Sequence, residues 1–230
     1  MKTIIFTLAN VLFLVLQLSG YSQSVSISAS EKEGILLMRE EEKLAHDVYT
    51  LLYDKWQLQP FSNISGSESR HFDAMGYLLE TFELNDPAFP EAGRFKNREL
   101  AVLYDSLVSR GSESLLAALE VGAYIEEVDI LDLKELIETS SNDAIAAVYS
   151  NLLRGSENHI RAFTRQLSWR DLEYVPTVLD AEIYSAIVGT SIQCGNRGNC
   201  INATPHSNNC KQQGGKQFRN RGKQNGCWNN

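Results

Sequence analysis

Glu68 and His71 stand three residues apart in a stretch whose apolar residues, Ile64, Met75, Leu78 and Phe82, repeat at helical spacing, so both side chains leave one face of one helix. The same intrusion of titratable groups into apolar stripes recurs three times. Glu42 lies in line with Ile35, Met38, Ala45 and Tyr49, and Glu41 lies close behind it, in line with Leu37, Leu44 and Val48. The residues three, four and seven positions from Glu126 include Leu119, Gly122, Ala123, Asp129, Ile130 and Leu133. His159 shares its stripe with Leu152, Ser156 and Phe163. An unpaired carboxylate in apolar surroundings is expensive. A divalent cation supplies the charge that makes such burial tolerable, and oxygen-rich donors with some nitrogen suit iron or manganese. Each group also has a local alternative. Glu68 fits the N3 position of a capping box with Ser65. The two histidines fit core positions hydrogen-bonded to carboxylates. Glu41 and Glu42 fit i,i+4 pairs on a solvated face, with His46 beside Glu42. Convergence at one level of four helices favours the shared explanation. Glu127, flanked on its face by Glu120 and Lys134, reads as solvated.

Four long helices must position these groups. The first opens with a capping box, Ser30 with Glu33, and is broken by Gln59-Pro60-Phe61-Ser62; the second is expected from Asn63 to Phe82. A long irregular connection with Pro87 and Pro90 and a short helix from Arg98 to Val108 follow. The third long helix starts at Ser112, and Ser140-Ser141-Asn142 separates it from the fourth. An amphipathic piece from Val178 to Val188 completes the series. No segment sustains period-two alternation, so the fold expected is all-α: a four-helix bundle with one long crossover, the arrangement of ferritin-like folds, plus a C-terminal helix.

At these residues the chain resembles the ferritin-like superfamily and, more closely, a rubrerythrin-related domain family of unknown function, as an exported, bacterial-type member. The stretches that carry the resemblance are Arg39-Glu40-Glu41-Glu42-Lys43-Leu44-Ala45, Asn63-Ile64-Ser65-Gly66-Ser67-Glu68-Ser69-Arg70-His71, Gly122-Ala123-Tyr124-Ile125-Glu126-Glu127-Val128-Asp129-Ile130 and Gly155-Ser156-Glu157-Asn158-His159. The resemblance spans Ser30 to Leu167 and implies a metal centre. Glu42 would be the carboxylate of the first helix, in the spacing Glu42, Ala45, Tyr49. Glu68 and His71 would be the Glu-x-x-His of the second, Glu126 the bridging carboxylate of the third, and His159 the imidazole of the fourth. One position departs: Ser156 stands where the family pattern wants a Glu, and Glu157 points about 100° away around the helix. One tightly bound ion is therefore expected in preference to two, with Asp129 and Glu41 as further candidate ligands. The implied chemistry is iron oxidation, or reduction of peroxide or oxygen at iron. A helical binding or scaffold module with an incomplete di-metal site is the rival expectation.

The flanks point outside the cytoplasm. Lys2, the apolar run Ile4–Leu18 and the small residues after it have the build of a secretory signal over residues 1–24, with an uncleaved membrane anchor as the alternative. The bundle is assigned to residues 25–190. Residues 191–230 form a basic, irregular tail with no Asp or Glu and with Cys194, Cys200, Cys210 and Cys227, which suit two disulfides in an oxidising compartment; zinc with His206 is the competing reading. The 230-residue chain has a net charge of −8, and its acids concentrate in the helical body, which argues against nucleic acid as partner. The partners expected are a metal ion and a small oxidant, with a second copy of the chain as a further candidate and no stable membrane anchor. No phosphate loop, nucleophile elbow or cysteine within the helical body offers another chemistry.

Overall fold

A computed structural model describes residues 27–190. The expected signal segment and the cysteine-bearing tail fall outside the described residues. Six α-helices and no strand occur among the described residues: α1 (Ala29–Trp56), α2 (Gln59–Thr81), α3 (Arg98–Gly111), α4 (Leu115–Thr139), α5 (Asp143–Ser168) and α6 (Ala181–Val188). The described residues are all-α, as the periodicity predicts. α1 packs along α2 and α4 along α5, and the circuit closes through α2 on α5 and α1 on α4. α3 lies across α1 and α4, and α6 packs on α5.

Several boundaries move from where local patterns put them. The capping box of α1 is Ser28 with Glu31, not Ser30 with Glu33. Glu31 serves two helix ends: its Oε2 accepts from the Ser28 amide at 2.8 Å, and its Oε1 accepts from the Ser141 and Asn142 amides, each at 3.0 Å, where α5 begins. α1 ends at Gln57, whose left-handed φ of 50° turns the chain. α2 then starts at Gln59 rather than Asn63, because Pro60 occupies its first turn, where a missing N–H costs nothing. That start leaves Glu68 well inside the helix and removes its capping alternative. α4 is capped by Ser114 instead of Ser112, and α5 by Asn142.

The charged run of α1 is accounted for residue by residue. Arg39 grips Asp86 at 2.7 Å, Lys43 donates to the Glu91 carbonyl at 2.8 Å, and Glu40 and Asp47 accept from the amides of Lys96 and Gly93 at 2.6 and 3.0 Å. One face of α1 therefore clasps the connection between α2 and α3, while Glu42 points the other way. Gly122 has no side chain because a Cβ there would fall 2.6 Å from the Phe163 ring; its absence lets α4 approach α5.

The buried core is divided. One apolar cluster gathers Tyr49, Leu52, Phe61, Leu119, Phe163 and Leu167; a second gathers Ile35, Met38, Met75, Leu133, Tyr149 and Leu152. Along α1, α2 and α5 the two sets are separated at the level of Glu42, of Glu68 and His71, and of Ser156 and His159; on α4 the first set runs to Ile130, past Glu126 and Asp129, and the second begins at Leu133. A layer of polar side chains crosses the molecule there.

Candidate metal centre

All five residues singled out as ligands meet in that layer. Glu42, Glu68 and Glu126 are fully buried and His159 is 8 % exposed, whereas the edge of His71 reaches solvent. His71 Nδ1 lies 2.7 Å from Glu68 Oε2 and 3.2 Å from Glu42 Oε2. His159 Nδ1 lies 2.8 Å from Glu68 Oε1 and 3.4 Å from Glu126 Oε2. The two imidazoles stack with centroids 5.6 Å apart. The donor atoms therefore fall into two triads, Glu42–Glu68–His71 and Glu68–Glu126–His159, each drawn within 4.8 Å and sharing Glu68 through separate oxygens.

Proximity does not make these groups hydrogen-bonded. Of the four imidazole–carboxylate contacts, His71 to Glu42 has hydrogen-bond geometry. Both oxygens of Glu68, Oε1 of Glu42, Oε2 of Glu126 and Nδ1 of His159 are buried without a hydrogen-bond partner. Buried polar atoms are nearly always satisfied. Here both oxygens of Glu68, Oε2 of Glu126 and Nδ1 of His159 face ion-pair partners at 2.7–3.4 Å without hydrogen-bond geometry, and the donor atoms lie close enough together to surround a cation once the imidazoles are neutral.

The electrostatics follow from burial and from the pairing of charges. Burial pushes the Glu42 carboxyl up to about 7, against the opposing pull of His71. Burial would do the same to Glu68, but the imidazoles of His159 and His71 outweigh it and hold this carboxyl well below the usual range. Burial disfavours the charged forms of both histidines. Glu42 and Glu68 nevertheless raise His71 well above its ordinary value, and Glu68 and Glu126 raise His159 to about 10. Glu126 is raised by burial, and the Tyr49 hydroxyl donates to its Oε1 at 2.6 Å. Tyr49 is fully buried, and this bond satisfies its hydroxyl.

The remaining candidates sit beside the triads. Asp129 is buried with Oδ2 unpartnered, and Glu41 is buried against Asp132; neither belongs to a triad. Ser156 is fully buried and donates to the Leu152 carbonyl at 3.4 Å. Glu157 pairs with Arg161 at 3.4 Å, away from the layer. His46 pairs with Asp47. A Cβ at Gly155 would fall 2.5 Å from both Cε1 and Nε2 of His71, so glycine lets that ring lie against α5. Glu127 corrects the expectation of a solvated residue. It is fully buried and accepts from the Tyr174 hydroxyl and from the amides of Thr177, Val178 and Leu179, the last two at 2.8 Å. Its solvated look came from same-helix neighbours, whereas its partners arrive from the segment before α6. Asp132 was not singled out from the sequence, where no apolar stripe marks it.

A helical domain with a buried carboxylate–imidazole layer is the class of protein that the described residues define. By its sequence the chain belongs to the family of the uncharacterized protein domain DUF2202, whose model matches residues 31–191. It is 47 % identical over 170 residues to the uncharacterized protein MJ0754 of Methanocaldococcus jannaschii, covering 74 % of this chain and 92 % of that protein. The crystal structure of hypothetical protein MJ0754 matches with a TM-score of 0.72, over 73 % of this chain and 97 % of that one.

Proposed function

We propose that this chain is a ferritin-like, four-helix-bundle metal protein in which Glu42, Glu68, His71, Glu126 and His159 hold iron or manganese. The observation that carries the reading is the set of buried, unpartnered donor atoms converging from four helices. Three carboxylates and two neutral imidazoles suit a hard-to-borderline divalent ion. The two triads support two adjacent positions spanned by Glu68. Ser156 brings no charge to offset repulsion between two ions, so one ion binds tightly and the second weakly.

Bound iron would supply redox chemistry toward oxygen, peroxide or ferrous iron. The chain's part is to fix the donors and manage protons. Both histidines must lose a proton for Nδ1 to serve as a donor, so loading expels protons from the layer. Tyr49 orients Glu126 through its hydroxyl. The apolar clusters on either side exclude bulk water. Export to a periplasmic or extracellular space completes the reading; no helix among the described residues is long and apolar enough to cross a membrane.

A second reading, a scaffold whose charges satisfy one another, is favoured by the short imidazole–carboxylate distances and by Ser156. Metal analysis of the purified protein and anaerobic titration of the metal-free form with ferrous iron separate the two. The expected outcome is one tight equivalent, abolished by His71→Ala and retained by Glu157→Ala. No tight binding to the unaltered chain selects the scaffold.

A further inference from the structure

Between α5 and α6 the chain runs as an irregular strap whose residues alternate in exposure. Leu172, Tyr174, Pro176 and Val178 are half-buried, while Asp171, Glu173, Val175 and Thr177 are exposed. Glu127 pins the strap from beneath through the Tyr174 hydroxyl and the amides of Thr177, Val178 and Leu179, and the Leu179 side chain is buried in the core. The exposed row therefore stands on a fixed base. Trp169, 63 % exposed, lies at its start, and Val175 within it is 72 % exposed.

The charge of this stretch is one-sided. From Asp171 to Gln193 the sequence holds the acids Asp171, Glu173, Asp180 and Glu182 and no Lys or Arg. All of these acids are exposed, and among the described residues none forms an ion pair. Asp180 only caps α6, accepting from the Glu182 amide at 2.8 Å. The basic groups of the neighbouring end of α5 are engaged elsewhere. Arg161 donates to the Ile187 carbonyl and the Thr190 hydroxyl, Arg170 donates to the Gln166 carbonyl and side chain, and Arg165 lies over the Trp169 ring.

The complement to this surface follows in the same chain. Residues 194–230 carry Arg197, Lys211, Lys216, Arg219, Arg221 and Lys223 and no acid, and Phe218 stands between Lys216 and the pair Arg219 and Arg221. An aromatic side chain among cations matches Trp169 and Val175 among acids in both polarity and sign. The helical body ends at Thr190, just past α6, and the eight residues of α6 are only about 12 Å long. The residues between Thr190 and Lys216 are more than enough to return across that distance. A tethered segment faces its surface at an effective concentration of about millimolar order, so ion pairs that are individually weak suffice to hold it.

We propose that the strap and the start of α6 are the docking surface of the chain's own basic segment, with Lys216, Arg219 and Arg221 against Asp171, Glu173, Asp180 and Glu182, and Phe218 against Val175 and Trp169. Docking there is independent of the metal centre. It turns the basic segment inward, away from any anionic surface outside the molecule.

The test treats the full chain, at low concentration, with a water-soluble carbodiimide, which joins lysine to carboxylate only where the two touch. Linked peptides are then mapped by mass spectrometry. Lys211, Lys216 and Lys223 should link to the acids of the strap and of α6 within a single chain, and the yield should fall when salt screens the contact. Arg219→Gln/Arg221→Gln keeps every reactive lysine and carboxylate and the same tether, and should lower the yield about fivefold. Absence of these links overturns the docking, as does an equal spread of links over exposed acids elsewhere, such as Glu33, Glu80 and Glu138. A yield unchanged by the arginine substitutions shows proximity through the tether alone and overturns it as well. Links found only at the mass of a dimer assign the surface to a second copy instead.

Discussion

Gly155 sets how closely His71 can approach α5, through the methyl group it lacks. With a Cβ only 2.5 Å from two ring atoms, Gly155→Ala must displace His71 from Glu68. Alanine in a helix interior is otherwise favoured over glycine by about 0.5–1 kcal/mol, so helical content should hold. Metal affinity should instead drop by about 10–100-fold, the range typical of disturbing a ligand's support. Metal titration alongside circular dichroism checks both halves, and undiminished affinity would contradict the placement of His71. Glu68 is the other pivotal residue, because its two oxygens face different imidazoles. Glu68→Gln should weaken both positions together, whereas Glu42→Gln should weaken the His71 side alone. Titration with ferrous iron distinguishes loss of one class of site from loss of both the tight and the weak class.

Among the elements, two acidic side chains tie distant segments. Glu31 joins the start of α1 to the start of α5, and the Ser28 amide leads the set of hydrogen bonds that hold its carboxyl down at about 2 against an ordinary 4.5. A carboxyl depressed on folding contributes stability that is complete above about pH 4.5 and disappears as the pH falls towards 2. Glu31→Gln should therefore be less stable than the unaltered chain at neutral pH, with the gap closing across that interval. Denaturant titrations at several pH values show whether it closes. Glu127 holds the segment before α6, and Glu127→Ala strands three backbone amides. A loss of about 2–4 kcal/mol is expected, and limited proteolysis should cut first within residues 172–180. These ties mark where the sequence stops being legible. The helices, their stripes and the five titratable residues that meet in the central layer follow from spacing within single segments. Glu31, Glu127 and the clasp of Arg39, Glu40, Lys43 and Asp47 on the crossover are long-range, and local pattern treats each as an ordinary surface charge. The start of α2 departs from the local pattern for the opposite reason: Pro60 looks like a breaker but is welcome in a first turn.

At the scale of the whole molecule the polar layer splits the core, so neither apolar cluster spans the full length of the long helices. In the layer burial raises Glu42 and Glu126 while the imidazoles hold Glu68 down, so its cohesion rests mainly on imidazole–carboxylate pairs. Binding to the folded state alone adds roughly 4 kcal/mol when free metal is about a thousandfold above Kd. For a domain of this size that corresponds to a rise in Tm of roughly 8–15 °C, read by thermal melts of loaded and chelator-treated protein. Equal Tm values would mean that no ion bridges the two halves. The methionines give that division a spectroscopic use. Met38 precedes Glu42 by one helical turn and Met75 follows His71 by one, and both are fully buried in the same half. Their ε-methyl groups, labelled with ¹³C, become a pair of native NMR reporters beside the centre. A paramagnetic ion such as high-spin Co²⁺ lodged in the layer should displace both resonances together, while one adhering to the acidic exterior should leave them where they are.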